Sequence, residues 1–531
     1  MGKRAWWLAM GAGVAACNPS VANYCAPGTP ECSPVDAATV DAATVDAATG
    51  VEAGACDPTR PPSSEPCVIA ETYGVFVSPS GSDANSGTRA APVQTIGHGM
   101  DLAKAAGKRV YVCAGSFAEQ LVVAASRDGV AVYGALDCAT WSYGTANKVV
   151  VTPAQAGYAL ELEGLQTGAT FEDVEFDAQG APSGSAGESS ITVFASSSEN
   201  VAFERVTVVA GNATDGASGV SPAPTSEAGA GTNNWYGTPP DYSELNGASA
   251  GDAGGAPMTT CACADQSSST GGAGGGPKNI PTPTAGLPSY GDAGAGAGGM
   301  NAVMCGNGGS PTTSGADAPM NAADTPSTTL GACSASGWSP ATGVAGADGK
   351  PGQGGGGGGN GRFSDGSGGG GACGGCGGAG GQPGAGGGSS IALLAYQSSI
   401  TLTSCVLTAG TAGNGGAGGG GEAGQTGGVI GGNGTMAGCP GAGGGAGAGA
   451  NGGQGGPGGL SLGIGYSGAP PTIDGAVVSQ AATYAGITSG SAGSGGADGA
   501  KGAAASLSTG PAGVDGASGT DGVAAAVGSL P

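Results

Sequence analysis

The sequence predicts an all-β chain, a parallel β-solenoid interrupted by long, irregular glycine-rich inserts. Three observations lead there. An apolar pattern recurs four times: Phe171, Val174 and Phe176 align with Phe203, Val206 and Val208, then with Leu402, Cys405 and Leu407, then with Ile473, Ala476 and Val478. A unit this short cannot bury its apolar row alone, so like positions must stack on one another. The large apolar residues cluster between about 73 and 211 and return briefly near 391–410 and 460–480, while much of the remainder is glycine, 119 residues of 531.

From the N-terminus, Lys3 and Arg4 precede an apolar run from Ala5 to Val14, too short to span a bilayer and ordered as a secretory signal. The run ends Val14, Ala15, Ala16, Cys17 and resembles the lipobox of bacterial lipoproteins. The resemblance implies a signal peptide over 1–17, lipid attachment at Cys17 and, through Asn18 rather than Asp, sorting to the outer membrane and the cell surface. Residues 18–68 carry Cys25, Cys32, Cys56 and Cys67 and three VDAAT repeats starting at Val35, Val40 and Val45. Such composition buries too little to offset chain entropy, so this stretch is expected to be a tether.

The next segment holds Val75, Val77, Pro79, Gly81 and Asp83 in the pattern V-x-V-x-P-x-G-x-D, then Gly87, Pro92, Thr95 and Ile96. It resembles the opening of pectin-lyase-like proteins, and Val110 to Glu119 is similar to the strand and turn that follow in that family. The resemblance implies a right-handed parallel β-helix over 69–211 with a short N-terminal capping helix from about Thr95 to Ala106. Thr95 is its N-cap, and Ile96, Met100 and Ala103 are spaced to cover the open end of the core.

In the repeats, Phe171, Phe203, Leu402 and Ile473 should form one interior ladder, and Val174, Val206, Cys405 and Ala476 another. Each unit is preceded by an alternating pair (Leu160 and Leu162, Ile191 and Val193, Ile391 and Leu393, Leu460 and Leu462), which predicts two strands per turn. Further coils are expected at 389–410 and 459–488. Inserts at 212–388 and 411–458 and a tail at 489–531 leave after the same strand, so all should project from one side. Glycine loses the most backbone entropy on ordering and buries no side chain, so these stretches are expected to be disordered and removable without unfolding the rest. The alternative is that they form extended, three-residue-per-turn helices packed side by side, since only glycine permits that approach. As a whole, the chain resembles the large glycine-rich (PGRS-like) surface lipoproteins.

Without Cys17, 14 cysteines remain, an even number suited to disulfides in an oxidising compartment. Cys113 and Cys138 are about one coil apart. Cys373 with Cys376 and Cys261 with Cys263 read as disulfide halves rather than zinc ligands, because no second CxxC exists and the only histidine, His98, is distant and falls on the capping helix.

The formal charge of −24 argues against nucleic acid, whose phosphates need clustered Lys and Arg. Pectin-lyase-like folds include lyases that pair Ca²⁺-binding carboxylates with a basic residue. Asp173, Glu175 and Asp177, with Arg205 one coil later, are the residues here that match such a set, although alternating charges are ordinary on a solvent-facing strand. The expected function is therefore a non-catalytic surface lipoprotein without cofactor, held at the outer membrane by its lipid. It would serve a structural or adhesive role or bind polysaccharide or surface matrix. The alternative is a calcium-dependent polysaccharide lyase or glycoside hydrolase.

Overall fold

The computed structural model describes residues 56–223, 260–276, 282–290, 313–359, 367–428, 431–432, 434, 438–505 and 510–531. The expected signal peptide with Cys17, and the expected tether as far as residue 55, lie outside the described residues. Cys56–Pro531 form one compact unit.

This unit is all-β, with one α-helix among its described residues. Most strands belong to three sheets whose long-range pairings are parallel. The first sheet runs in order Gly74–Val77, Arg109–Cys113, Ala131–Leu136, Ala169–Glu172, Val201–Glu204, Ile400–Thr403 and Thr472–Ile473. The second runs Leu121–Val123, Leu160–Glu163, Ser190–Ser196, Ser390–Tyr396, Ser461–Ser467 and Ala524–Ser529, and the third Gly115–Phe117, Val149–Val151, Glu175–Asp177, Thr207–Val209, Val406–Thr408 and Ile487–Thr488. From Arg109 onward the chain visits first, third and second sheet in rotation, so each round contributes three strands rather than the two expected.

The extra strand arises inside the repeat itself. Phe171 and Glu172 belong to the first sheet and Glu175 to the third, and the residue between them turns the corner. Asp173, Arg205, Ser404 and Asp474 occupy that place in the four units, all left-handed, with φ of 57°, 51°, 53° and 48°. The expected ladder forms in register: Phe203 pairs with Phe171 and Leu402, and Leu402 with Ile473. All four are buried, and the Phe171 and Phe203 rings stack at 5.7 Å. The second ladder holds for Val174 and Val206, is half-buried at Cys405 and fails at Ala476, which is exposed. There Gly475, at φ 82°, turns the chain back into a hairpin pairing Ile473 with Ala476, and Ile487 takes the place beside Leu407. The capping helix is present as Ile96–Ala106; the Thr95 side chain accepts from His98 N, and Ile96, Met100 and Ala103 are buried.

Folded structure begins before residue 69. Cys56 and Cys67 are disulfide-bonded, the Arg109 guanidinium donates to the Arg60 and Pro58 carbonyls, and the Tyr111 hydroxyl donates to the Val68 carbonyl. Residues 56–68 are thus tied to the first sheet and are not tether.

The inserts do leave one corner, after Val209, Thr408 and Thr488 of the third sheet, and each returns to the second sheet at Ser390, Ser461 or Ala524. The stretch 489–531 is therefore a third insert closed by a strand, not a tail. The expectation of disorder is overturned for the described residues. Gly343, Gly346, Gly349 and Gly352 donate to the carbonyls of Gly384, Gly381, Gly378 and Gly375 at 2.7–3.0 Å, an antiparallel pairing with a step of three.

Around the segment 441–459, three rows serve three neighbours. Gly447, Gly453 and Gly456 donate to Gln425, Gly419 and Gly416; Gly445, Ala448 and Asn451 to Gln353, Lys350 and Ala347; Gly449, Gly452 and Gly455 to Pro511, Val514 and Ala517, all at 2.8–2.9 Å. A three-residue turn is the repeat of the polyproline II helix, which has no internal hydrogen bonds and so leaves every peptide free to bond sideways. Glycine is required by the spacing: a Cβ on Gly453 or Gly456 would lie less than 3.0 Å from the Gln382 or Ala385 carbonyl of the adjoining segment.

Three devices fasten this bundle. Ser190, Ser390 and Ser461, stacked in the second sheet, each donate to a carbonyl just past a third-sheet strand (Gln179, Gly211, Gly410) and accept from the N–H at the start of an insert (Gly211, Gly410, Gly490). Cys261–Cys373 and Cys263–Cys376 cross-link one insert, and Cys439 is disulfide-bonded as well. The hairpin Gly331–Ser334 and Gly337–Pro340 lays Cys333 and Trp338 over the outer apolar row of the second sheet, Ile191, Phe194, Ile391 and Leu394.

Candidate functional site

The corner residues bring Arg205 onto Asp173 of the preceding round. The guanidinium grips Asp173 with two bonds, Nε to Oδ1 at 3.0 Å and Nη2 to Oδ2 at 3.1 Å, and also pairs with Glu172 and Glu204. Asp173 receives a further bond from the Tyr143 hydroxyl at 2.8 Å, and Glu172 one from Ser63 at 2.7 Å. Sequence reasoning missed Glu172, Glu204, Tyr143 and Ser63. Glu172 and Glu204 follow the ladder residues Phe171 and Phe203 directly, and the corner at Asp173 and Arg205 is what brings them to one cation.

Electrostatically this is a closed set. Glu172 is 2 % exposed on its side chain; burial pushes its pKa up, while Ser63 and Arg205 pull it back only in part. For Arg205, burial opposes the charge, but the hydrogen bond to Asp173 and the charges of Glu172 and Asp173 outweigh it and hold the proton above the ordinary range. Burial first, then the Asp173 bond and charge, push Tyr143 up to about 12. A base must give up its proton to act; Arg205 is held in the protonated form by its partners.

Glu175 and Asp177 flank buried Phe176 and sit half-exposed on the outer face of the third sheet, opposite Thr207 and Val209 of the next round. Burial raises the Asp177 pKa. The cavity lined by Asn147, Lys148, Asp173, Glu175, Arg205 and Thr207 has a volume of 30 Å³, room for about one water and not for a sugar ring.

Calcium takes about 6–8 converging oxygens. Among the described residues, the cluster of three metal-capable groups is Cys56, Glu65 and Cys67, and its two cysteines are bonded to each other. Asp173, Glu175 and Asp177 do not converge in that way, so the residues present do not fit a calcium site.

Cys113–Cys138 form a disulfide from the end of the strand Arg109–Cys113 to the turn after the strand Ala131–Leu136, as the spacing suggested, whereas the closely spaced cysteines pair crosswise, Cys261 with Cys373 and Cys263 with Cys376. Cys333, buried, and Cys405, half-buried, remain free thiols. No family model, curated protein or solved structure matches the chain.

Proposed function

We propose that the chain is a non-catalytic surface lipoprotein, anchored through Cys17 at the outer membrane, in which the three sheets wind as a right-handed parallel β-helix of pectin-lyase-like type. The glycine bundle is its structural platform, held out laterally for polysaccharide or matrix binding. The rotation of the chain through three sheets with parallel pairing supports the winding.

The observation that carries the non-catalytic reading is the state of Arg205: its guanidinium is consumed by Glu172, Asp173 and Glu204, over a cavity of 30 Å³ that Lys148 also lines. The test is a glycan-binding and glycan-cleavage screen of the full chain with and without Ca²⁺. Binding without cleavage is expected; Ca²⁺-dependent release of unsaturated oligosaccharides would overturn the reading in favour of a lyase. For the anchor, Cys17→Ser should abolish lipid labelling and move the protein from the membrane to the soluble fraction. Retention in the membrane would sink that assignment.

A further inference from the structure

At the edge of the hairpin that covers the second sheet lies a groove with a volume of 280 Å³, lined by Tyr158, Trp338 and Pro340 together with Glu188 and Ser189. Both aromatic residues are held in place. The Tyr158 ring packs on Phe194 at 5.1 Å, and its hydroxyl lies over Gly337, a left-handed glycine (φ 108°) where a Cβ would collide with it. The Trp338 indole occupies the space over Gly331, where a Cβ would likewise collide.

In the same lining, the backbone of Glu188 is fixed by its N–H donating to Thr214 Oγ1 at 2.9 Å and its carbonyl accepting from Thr214 N at 3.1 Å. Its carboxylate is left exposed. Trp338 is 9 % exposed, and its Nε1–H is enclosed without an acceptor among the described residues.

We infer that this groove is a binding subsite for one uncharged pyranose unit of a polysaccharide. The Tyr158 ring, half-buried and held beside Trp338, suits the apolar C–H face of a sugar ring, and it is preorganised, so little side-chain entropy is lost on binding. Glu188 accepts hydrogen bonds from ring hydroxyls.

Charge selects the class of sugar. No Lys or Arg lines the groove, Glu188 contributes a negative charge and the whole chain carries −24, so a polyuronate is repelled. The inference rests on the polysaccharide-binding part of the proposed function and places it on the second-sheet side, away from Asp173 and Arg205.

The experiment is calorimetric titration of the full chain in detergent with cellohexaose, mannohexaose, xylohexaose and hexagalacturonate, followed in parallel by tryptophan emission. At least one neutral hexasaccharide should bind and quench emission. Tyr158→Ala should weaken it by at least about tenfold, Glu188→Gln by about threefold to tenfold, and Trp338→Phe should remove the quench. Hexagalacturonate should not bind.

Glu188→Gln lies on the surface, so its unfolding midpoint should match the parent and its effect reads binding alone. Absence of binding by any neutral hexasaccharide, or preference for hexagalacturonate, overturns the inference. Neutral binding left unchanged by both Tyr158→Ala and Glu188→Gln overturns the groove while leaving the polysaccharide-binding reading intact. Cleavage of hexagalacturonate overturns that reading itself.

Discussion

The ladder region and the glycine bundle bury their backbone by opposite means. Between the three sheets, Phe171, Phe203, Leu402 and their neighbours fill an interior with side chains, and stability follows from apolar area removed from water. In the bundle the packed elements are peptide groups themselves; every third residue bonds the same neighbour, and the three rows bond three different ones. Side chains enter there mainly as polar links: Asn451, 1 % exposed, donates to Ala322 O and accepts from Val514 N, and Gln454 donates to Ser327 O and accepts from Ser327 N. The difference teaches that a chain poor in large side chains can still be compact, provided close approach lets every buried peptide find a partner.

The largest test of the contrast is removal of residues 217–380. If the bundle were a loose appendage, the rest would keep its stability, because loop closure costs grow only slowly with length. Since the hairpin bearing Trp338 covers Ile191, Phe194, Ile391 and Leu394, the deletion is expected to lose about 6 kcal/mol or more, at about 1.5–3 kcal/mol per uncovered side chain. Chemical denaturation followed by circular dichroism would read it, and an unchanged midpoint would show that the two regions are independent.

Phe203→Asp attacks the ladder alone by placing a charge between Phe171 and Leu402. It should cost about 5 kcal/mol or more and abolish the cooperative β-sheet transition. A soluble variant with native circular dichroism would mean that the ladder phase is wrong.

Arg205→Leu strips Glu172 and Asp173 of their cation and should cost about 3–5 kcal/mol at pH 7. The sign of its pH dependence is fixed by Glu172. That carboxyl has a raised pKa in the fold, so it contributes stability that is present below its unfolded value and lost as pH rises through the folded one. The deficit of Arg205→Leu should therefore shrink as pH falls through the raised Glu172 range, measured as thermal midpoints from pH 7 to pH 4. A deficit independent of pH would contradict the assignment.

Within the bundle, Gly456→Ala forces a methyl group against the Ala385 carbonyl and should cost about 2–4 kcal/mol in strain and broken peptide bonds. Gly420→Ala is its control. There a Cβ meets only Ser221 Oγ at 3.3 Å and Ala500 O at 3.5 Å, and the change should stay within about 0.5 kcal/mol. Hydrogen exchange of the bundle amides would separate the two, and equal effects would sink the packing described. Smallest of all, Lys501→Ala removes a surface pair with Asp515 whose side chains are half exposed; the unfolding midpoint should stay at the parent's value.

The ladder was legible because large apolar residues recur with their partners, and the cap because Thr95, Ile96, Met100 and Ala103 carry a helical stripe. The third strand per round was not, since its signal is a polar residue turning a corner at Asp173, Arg205, Ser404 and Asp474, where sequence shows only alternation. The fourth repeat misled at Ala476 because Gly475 permits a reversal that the apolar pattern does not encode. The closing strand Ala524–Ser529 hid among alanines and glycines and is identified by pairing with Ser461–Ser467 rather than by bulk.

The bundle was hardest to foresee. Its determinants are which glycines face which carbonyls, and Gly456 and Gly420 look alike in sequence. At the candidate site, Asp173 and Arg205 were found from their alignment, but their neutralisation depended on Glu172 and Glu204, which alternation alone assigns no role.

Because successive donors in a bundle segment turn by about 120°, the inserts possess a reading frame of their own. A gain or loss of three residues in a segment moves its rows along by one full turn and leaves every donor facing the same neighbour; a change of one or two aims each donor at a wrong one. Length variation in these inserts should therefore be quantised in triplets of amino acids, and in antiparallel partners such as 343–358 and 369–384 it should come as matched additions on both legs.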